Sequence, residues 1–464
     1  MLQITTGRSP RLIERLRKQG VGPLQRILTP EVFASVCKGR VRAFAVLVPE
    51  VVFWLMACVA LGDGAMASAT TVLWQSLRAA RPNMPLEPVC RQAFTLARKG
   101  LPLSFFQDLF QVLLDRFDAQ FQDRYLWHGF RVSGIDGSGL NLPKGSKQLL
   151  KAFPPPSNQK GPCKRPQALL VGLVDLWAGV CRGVQIMTLK QGELAGAKAL
   201  ISQLGPRDLL LGDRNFPHYE IMSRIRAAGA HFLMRMSTRY LLDSKHERTY
   251  LGPDEWLVTL KKSNRLAKLY PEMPETMTVR ILRYQLVGYQ VSYLITSLLD
   301  HEAYPYKELV ALYHERWQHE TRHNEWKHAL KMSNLRSKSE DGIRKEVFAQ
   351  LTLNNAIRWV MSDAAKPPVR PVDLKFLDSK RLTVTAAARM ASASPHELPA
   401  WYESLTLQVA KLRILVRPNR SYPRRRSNTV GRLKGNGRRA QPAKLPPPGS
   451  DPPTVTLAQS ETVA

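Results

Sequence analysis

Acidic residues are scarce in this sequence. There are 37 Asp and Glu against 68 Lys and Arg in 464 residues, a formal net charge of +31. That excess is large for an enzyme of small molecules. It predicts a polyanionic partner, of which nucleic acid is the commonest, with an anionic membrane surface as the rival. Cysteine is sparse as well. Cys37, Cys58, Cys90, Cys163 and Cys181 are scattered singly. No CxxC pair or Cys/His spacing suggests zinc, and an odd count argues against a disulfide framework, so a reducing cytosol fits. The opening MLQITTGRSPRLIERLRK has no apolar core for a signal peptide. Long apolar runs are missing too. The richest, 43–61, is interrupted by Pro49 and Glu50. What remains falls well short of the ~20 residues a membrane span needs. It reads as a buried helix starting near Pro49.

Residues 1–125 read as helical, with predicted helices over 11–18, 30–37, 49–61, 67–77, 88–99 and 104–117. Gly62-Asp63-Gly64 and Pro82-Asn83 punctuate them. The pair 67–77 and 88–99, the second carrying Arg91, Arg98 and Lys99, reads equally as a helix-turn-helix-like DNA reader or as an ordinary bundle. From Phe130 the pattern turns β-rich. A strand over 130–135 is expected to end at Asp136-Gly137-Ser138-Gly139, and a Lys/Pro-rich loop over 144–165 to follow. Strands over 168–177 and 184–190, a helix over 193–204, a strand over 208–212, a helix over 217–228 and a strand over 231–236 complete a mixed α/β sheet. A β-rich stretch over 237–299 has candidate strands at 257–261, 277–284 and 289–296. Helices over 313–327 and 346–361 come next, and order is expected to fade after Ala365. Residues 411–444 hold twelve Lys or Arg and no acid. Their core is Arg417-Pro-Asn-Arg-Ser-Tyr-Pro-Arg-Arg-Arg426, which includes Arg420 and Arg424 as phosphate-binding candidates. The last twenty residues are Pro/Ser/Thr-rich, a composition of disordered tails.

Three carboxylates stand out by position. Asp136 and Asp213 each close a predicted strand at a polar turn, and Glu320 lies on a helix. Such acids, brought together, need cations. Two Mg²⁺ ions would neutralise them, activate a water and stabilise a leaving oxygen. Mg²⁺ takes oxygen ligands and needs neither His nor Cys. Asp175 and Asp208 read instead as structural acids at turns. Around Glu320, the residues Tyr313, Arg316 and Lys327 share an arc of about 60° along roughly 20 Å of helix. Leu312, Trp326 and Leu330 form a buried stripe beside it. This face reads either as a carboxylate flanked by phosphate-gripping donors or as a solvated helix with a few ion pairs.

The order DGS, then DRNF, then Y-x2-R-x3-E-x6-K resembles the DDE transposases of the IS4 group. The resemblance covers about residues 30–425, and every position of the four-residue YREK signature is present. Trp317 follows Arg316 as it often does in that group, and is counted with the DNA-contacting candidates. One departure is Asn215, where Gly or Ala is commoner. Asn tolerates turn conformations, so no loss of activity is expected from it.

The resemblance implies an RNase H-like catalytic core over 126–236 and 300–365. A β-rich insertion would occupy 237–299, an all-helical DNA-binding domain 1–125, and a basic region with a disordered tail 366–464. It implies that Asp136, Asp213 and Glu320 bind two Mg²⁺ ions, for which Mn²⁺ can substitute. Tyr313, Arg316, Trp317, Lys327, Arg420 and Arg424 would contact DNA. It further implies metal-dependent cleavage at element ends through a hairpin intermediate and strand transfer into target DNA. The partners would be terminal inverted repeats and target DNA, held by a homodimer in a synaptic complex in the cytoplasm near the nucleoid, with no membrane. Two rivals remain at this level: a transposase-derived DNA-binding regulator without catalysis, and a metal-dependent nuclease without strand transfer.

Overall fold

The computed structural model describes residues 24, 27–37, 47–61, 90–144, 146–158, 161–162, 165–236, 248–285, 290–390 and 396–415. Its leading helices are α1 (Pro30–Val36), α2 (Pro49–Leu61), α3 (Arg91–Gly100) and α4 (Leu103–Phe121). Then come β1 (Leu126–Trp127), β2 (Phe130–Asn141), α5 (Lys147–Ala152), β3 (Ser157–Asn158), β4 (Gly161–Pro162), β5 (Gln167–Asp175) and β6 (Cys181–Thr188). After them run α6 (Gly192–Ile201), β7 (Asp208–Gly212), α7 (Tyr219–Ala227), β8 (His231–Met236), β9 (Arg248–Gly252) and β10 (Glu255–Lys261). The order continues with α8 (Asn264–Leu269), β11 (Thr276–Tyr284), β12 (Ser292–Thr296), α9 (Tyr306–His314), α10 (Trp317–Asn324) and a π turn at Glu325–Ala329. Last are α11 (Glu340–Ala364), α12 (Phe376–Met390) and α13 (Leu398–Ala410).

Ten strands form one mixed sheet in the order β6-β5-β2-β7-β8-β12-β11-β10-β9, with β1 paired to the start of β2. The central pairs β2–β7 and β7–β8 are parallel, and the others are antiparallel. Every residue of β7 is buried, as a near-continuous apolar strand covered on both faces requires. Alternation along β2 sorts the layers. Ile135 packs with Ala197 and Leu200 of α6 and Ile221 of α7 on one face. Val132 packs with Leu309 and Leu312 of α9, and Leu140 joins the core of α4 and α11, on the other. Helix α4 buries Phe106, Leu109, Phe110, Leu113, Leu114 and Phe117 at helical spacing against α11, and Ser339 caps α11 by accepting the Gly342 amide.

Several expectations need correction. The strand containing Asp136 does not end there. It runs through Gly137-Ser138-Gly139 to Asn141, because β5 supplies antiparallel partners along that whole length. The segment 144–165 contains α5, whose first turn is capped by the Ser146 hydroxyl. Order does not fade after Ala365: α12 and α13 follow, and Phe376, Tyr402, Leu405 and Val409 are buried in the same core as α4 and α11. The β-rich stretch is present but extends the central sheet, since β12 pairs with β8. Its fully buried Arg280 forms an ion pair with Glu255 and donates to the Tyr304 carbonyl at 2.7 Å, fastening β11 to the turn that leads into α9. Helix α2 begins at Pro49 as expected, and no helix among the described residues is long and apolar enough to cross a membrane. The segments 11–18 and 67–77, and with the latter the helix-turn-helix reading, lie outside the described residues. So do Arg420, Arg424 and the basic stretch around them.

Candidate functional site

The site forms where β2 outruns its parallel neighbour. Pairing between β2 and β7 stops at Gly134 opposite Leu211. Two more residues in that register bring Asp136 level with Asp213, the first residue after β7. Asp213 closes its turn by accepting the Asn215 amide at 2.8 Å. Both acids are partly buried and repel each other. Burial first, and then the Asp213 charge, raises the pKa of Asp136, against hydrogen bonds from Glu193 and the Gly137 amide and the pull of Arg316.

Glu320 arrives from the opposite side of the chain on α10. The expected single helix from Tyr313 to Lys327 is broken. At 315–316 the backbone tightens, with Arg316 N bonding Tyr313 O at 3.1 Å, before α10 begins. At the far end the π turn closes with Leu330 N donating to Glu325 O, five residues back. Partly buried Glu325 anchors this turn through ion pairs with Arg322 at 3.1 Å and with Arg358 of α11.

These two irregularities redistribute the four YREK side chains. Arg316, with 12% of its side chain exposed, lies between two of the acids, 3.9 Å from Asp136 and 3.6 Å from Glu320. Its guanidinium also sits 5.6 Å from the ring centroid of Trp317, which is itself exposed. Lys327 turns back onto β2 and donates to the Ser138 hydroxyl, two residues from Asp136 on the same strand face. Burial lowers its pKa. Tyr313 does not stand on a polar face. It is buried with Val132, Leu309 and Leu312, and burial pushes its phenol up to about 12. The expected buried stripe of Leu312, Trp326 and Leu330 is present. Asp175 accepts the Trp177 and Ala178 amides, and Asp208 is gripped by two nitrogens of Arg131, so both are structural as expected.

A fourth carboxylate belongs to the cluster. Glu193, in the first turn of α6, accepts the Gly137 amide and takes the Asn215 side-chain amide at 2.8 Å. It thereby ties the strand of Asp136 to the turn of Asp213. A side chain at Gly137 would meet it at 2.6 Å and displace the Glu193 carboxylate from this place. Burial first, then the hydrogen bond to Asp136 and the charges of Asp136 and Asp213, pushes Glu193 up to about 7. The folded pKa therefore lies above the ordinary 4.5, and folding favours the protonated form. This contribution to stability is complete below pH 4.5 and is lost as pH rises towards 7. In metal-free protein the unfolding temperature is expected to fall between pH 5 and pH 7.5, and Glu193→Gln to flatten that fall. A profile with the same slope in both proteins would place the titration elsewhere.

The donor set is all oxygen, and the repulsion among its acids fits a hard divalent cation. No group of three or more His, Cys, Asp or Glu among the described residues is gathered closely enough to hold a metal as it stands. Arg316 lies between Asp136 and Glu320 instead.

The sequence profile of the transposase DDE domain matches residues 127–355, the span that contains all three acids. The chain is also 27% identical over 306 residues to the transposase InsG for insertion sequence element IS4 of Escherichia coli (strain K12), over 64% of this chain and 68% of that one. The chain thus carries a region similar to the transposase DDE domain and resembles an IS4-element transposase. Such a domain is that of a nuclease and transesterase, and DDE transposases bind DNA and use divalent metal ions, generally Mg²⁺. Among solved structures it is similar to a cryo-EM structure of the piggyBac transposase synaptic complex with hairpin DNA. That match has 11% identity and a TM-score of 0.36 over 86% of each chain.

Sequence reasoning missed Glu193 and Ser138. Glu193 carries no motif, and an acid in the first turn of a helix reads as a partner for the helix dipole. Ser138 is part of the DGS motif, but its bond to Lys327 depends on β2 continuing past Asp136.

Proposed function

We propose that Asp136, Asp213 and Glu320 form the active centre with which this transposase cuts the ends of its element and joins them to target DNA. The observation that carries this reading is that strand β2, projecting beyond β7, brings Asp136 beside the turn of Asp213, while Arg316 links Asp136 to Glu320. The order β6-β5-β2-β7-β8, antiparallel then parallel, supports reading the core as RNase H-like.

Asp136, Asp213 and Glu320 would hold the metal. Mg²⁺, when bound, supplies neutralising charge, a more acidic water and stabilisation of the leaving 3′ oxygen. Arg316 compensates the acids and offers a two-pronged grip for a phosphate. Lys327 presents a second cation to the bent strand, oriented by Ser138. Trp317 offers an exposed ring for a base to stack on. The neighbouring backbone of β2 and α10, tied into the sheet, fixes these groups relative to one another before DNA arrives. A homodimer bridging two terminal repeats, a hairpin intermediate and work in the cytoplasm on chromosomal DNA complete the reading.

The test uses the full chain, Mg²⁺, a duplex made from the DNA flanking its coding region, and a target plasmid. The expected result is end fragments covalently joined to the plasmid, with Mn²⁺ able to replace Mg²⁺. Cut ends without any joined product would leave a nuclease. Bound but uncut DNA in either metal would leave a regulator.

A further inference from the structure

Beyond the acids and their cationic neighbours, one buried side chain connects the helix of Glu320 to the strands of Asp136. The imidazole of His319 is fully buried, and its Nε2 lies 3.1 Å from the Gly172 carbonyl oxygen. A carbonyl only accepts, so Nε2 carries the proton and donates it. Gly172 is the β5 residue directly across from Asp136 in the antiparallel pair. Glu320 is the next residue after His319. The connection from one acid to the other is therefore short: Glu320, its neighbour's ring, one hydrogen bond, one strand pair, Asp136.

The backbone is shaped to let this happen. A side chain at Gly134 would come within 3.0 Å of the His319 ring, and one at Gly172 within 3.0 Å of the Trp326 ring and 3.3 Å of His323. Two glycines on adjacent strands thus open a groove into which α10 and the π turn settle. Leu176 also lies over Gly134, and Arg316 and Lys327 reach β2 at the two ends of the segment, but between them packing alone is weakly directional. The directional hydrogen bond of His319, one residue from Glu320, adds the fixed point between them. The remaining ring neighbours are His323, 4.5 Å away between centroids, and through it Trp326. Neither offers a polar contact to β2 or β5 that would substitute.

We propose that His319 is a positioning residue: by donating to the Gly172 carbonyl it sets the carboxylate of Glu320 at working distance from Asp136. This rests on the assignment of Glu320 and Asp136 to the active centre. It assigns His319 no contact with DNA or metal.

The test compares His319→Leu, which keeps apolar bulk but removes the donor, with His319→Gln, whose amide can reach the same carbonyl. Cleavage of end DNA, thermal unfolding and calorimetric Mn²⁺ binding are measured on the full chain. His319→Leu is expected to lose roughly 10–100-fold in cleavage rate at saturating DNA and in Mn²⁺ affinity, the usual scale for a residue that orients a ligand. Its DNA concentration for half-maximal rate should stay unchanged. His319→Gln should recover most of both losses. If His319→Leu cleaves and binds Mn²⁺ normally while Glu320→Gln is inactive, the positioning role is overturned and the active-centre assignment stands. If Glu320→Gln is itself fully active, the assignment fails and the positioning role goes with it. Equal losses in both His319 variants, tracking a fall in unfolding temperature, would reduce His319 to a packing residue.

Discussion

Asp136→Asn, Asp213→Asn and Glu320→Gln are each expected to abolish cleavage of end DNA while leaving its binding nearly intact. Each change keeps the shape of the side chain and removes one negative charge. Metal-ion stabilisation of a displacement is worth several kcal/mol. At about 1.4 kcal/mol per tenfold, loss of one ligand costs on the order of 10³-fold or more. Binding should survive because the acids repel phosphate, and removing one can only ease the approach of the backbone. Chelation of the metal should stop the unaltered enzyme to the same degree. Cleavage by any one variant at the normal rate in Mg²⁺ would remove that residue from the active centre. Asp136→Asn and Asp213→Asn should also unfold at or above the wild-type temperature without metal, since each relieves the repulsion between these two acids. A marked fall would mean the carboxylate holds the fold instead.

The three acids proposed for the active centre could be singled out from the sequence because each sits in a chemical context that survives without a structure. Asp213 follows a short apolar strand, and Glu320 falls in a spaced signature. The surroundings were less legible, for separable reasons. A Gly-rich run such as Gly137-Ser138-Gly139 reads as a turn by local preference, yet here β5 pairs with it and Gly137 admits Glu193. Helical projection placed Tyr313 beside Glu320, but projection assumes an unbroken helix. The tightening at 315–316 leaves Tyr313 with the apolar face of α9. The π turn likewise returns Lys327 to the sheet, which no fixed angle per residue anticipates. Helices α12 and α13 were missed because their neighbourhood is rich in Pro and basic residues. What orders them is burial of Phe376, Tyr402 and Leu405 against distant α11, a tertiary effect.

Arg316→Lys and Lys327→Ala should separate two duties that the signature alone makes look alike. Arg316 reaches two acids at once, Asp136 at 3.9 Å and Glu320 at 3.6 Å. It therefore acts wherever the acids act, from the first nick onwards. A lysine brings one compact charge and cannot address two carboxylates, or a carboxylate and a phosphate, with the same geometry. Arg316→Lys is expected to slow the first nick and every later step together, by about 10²-fold, the scale for losing one preorganised donor. Lys327 touches none of the acids. It is held by Ser138 at the edge of the cluster, where it suits a phosphate displaced from the one being cut. A hairpin crowds phosphates, so that cation matters most once the strand has bent. Lys327→Ala should leave the first nick near its normal rate and slow hairpin formation or opening. Ser138→Ala should do the same more weakly, because the lysine then keeps its charge and loses only its direction. Following nicked, hairpin and fully cut end fragments over time on a gel distinguishes the cases. Equal slowing of all steps in Lys327→Ala would mean that its bond to Ser138 shapes β2 around Asp136, and that the lysine works through the strand and not through DNA.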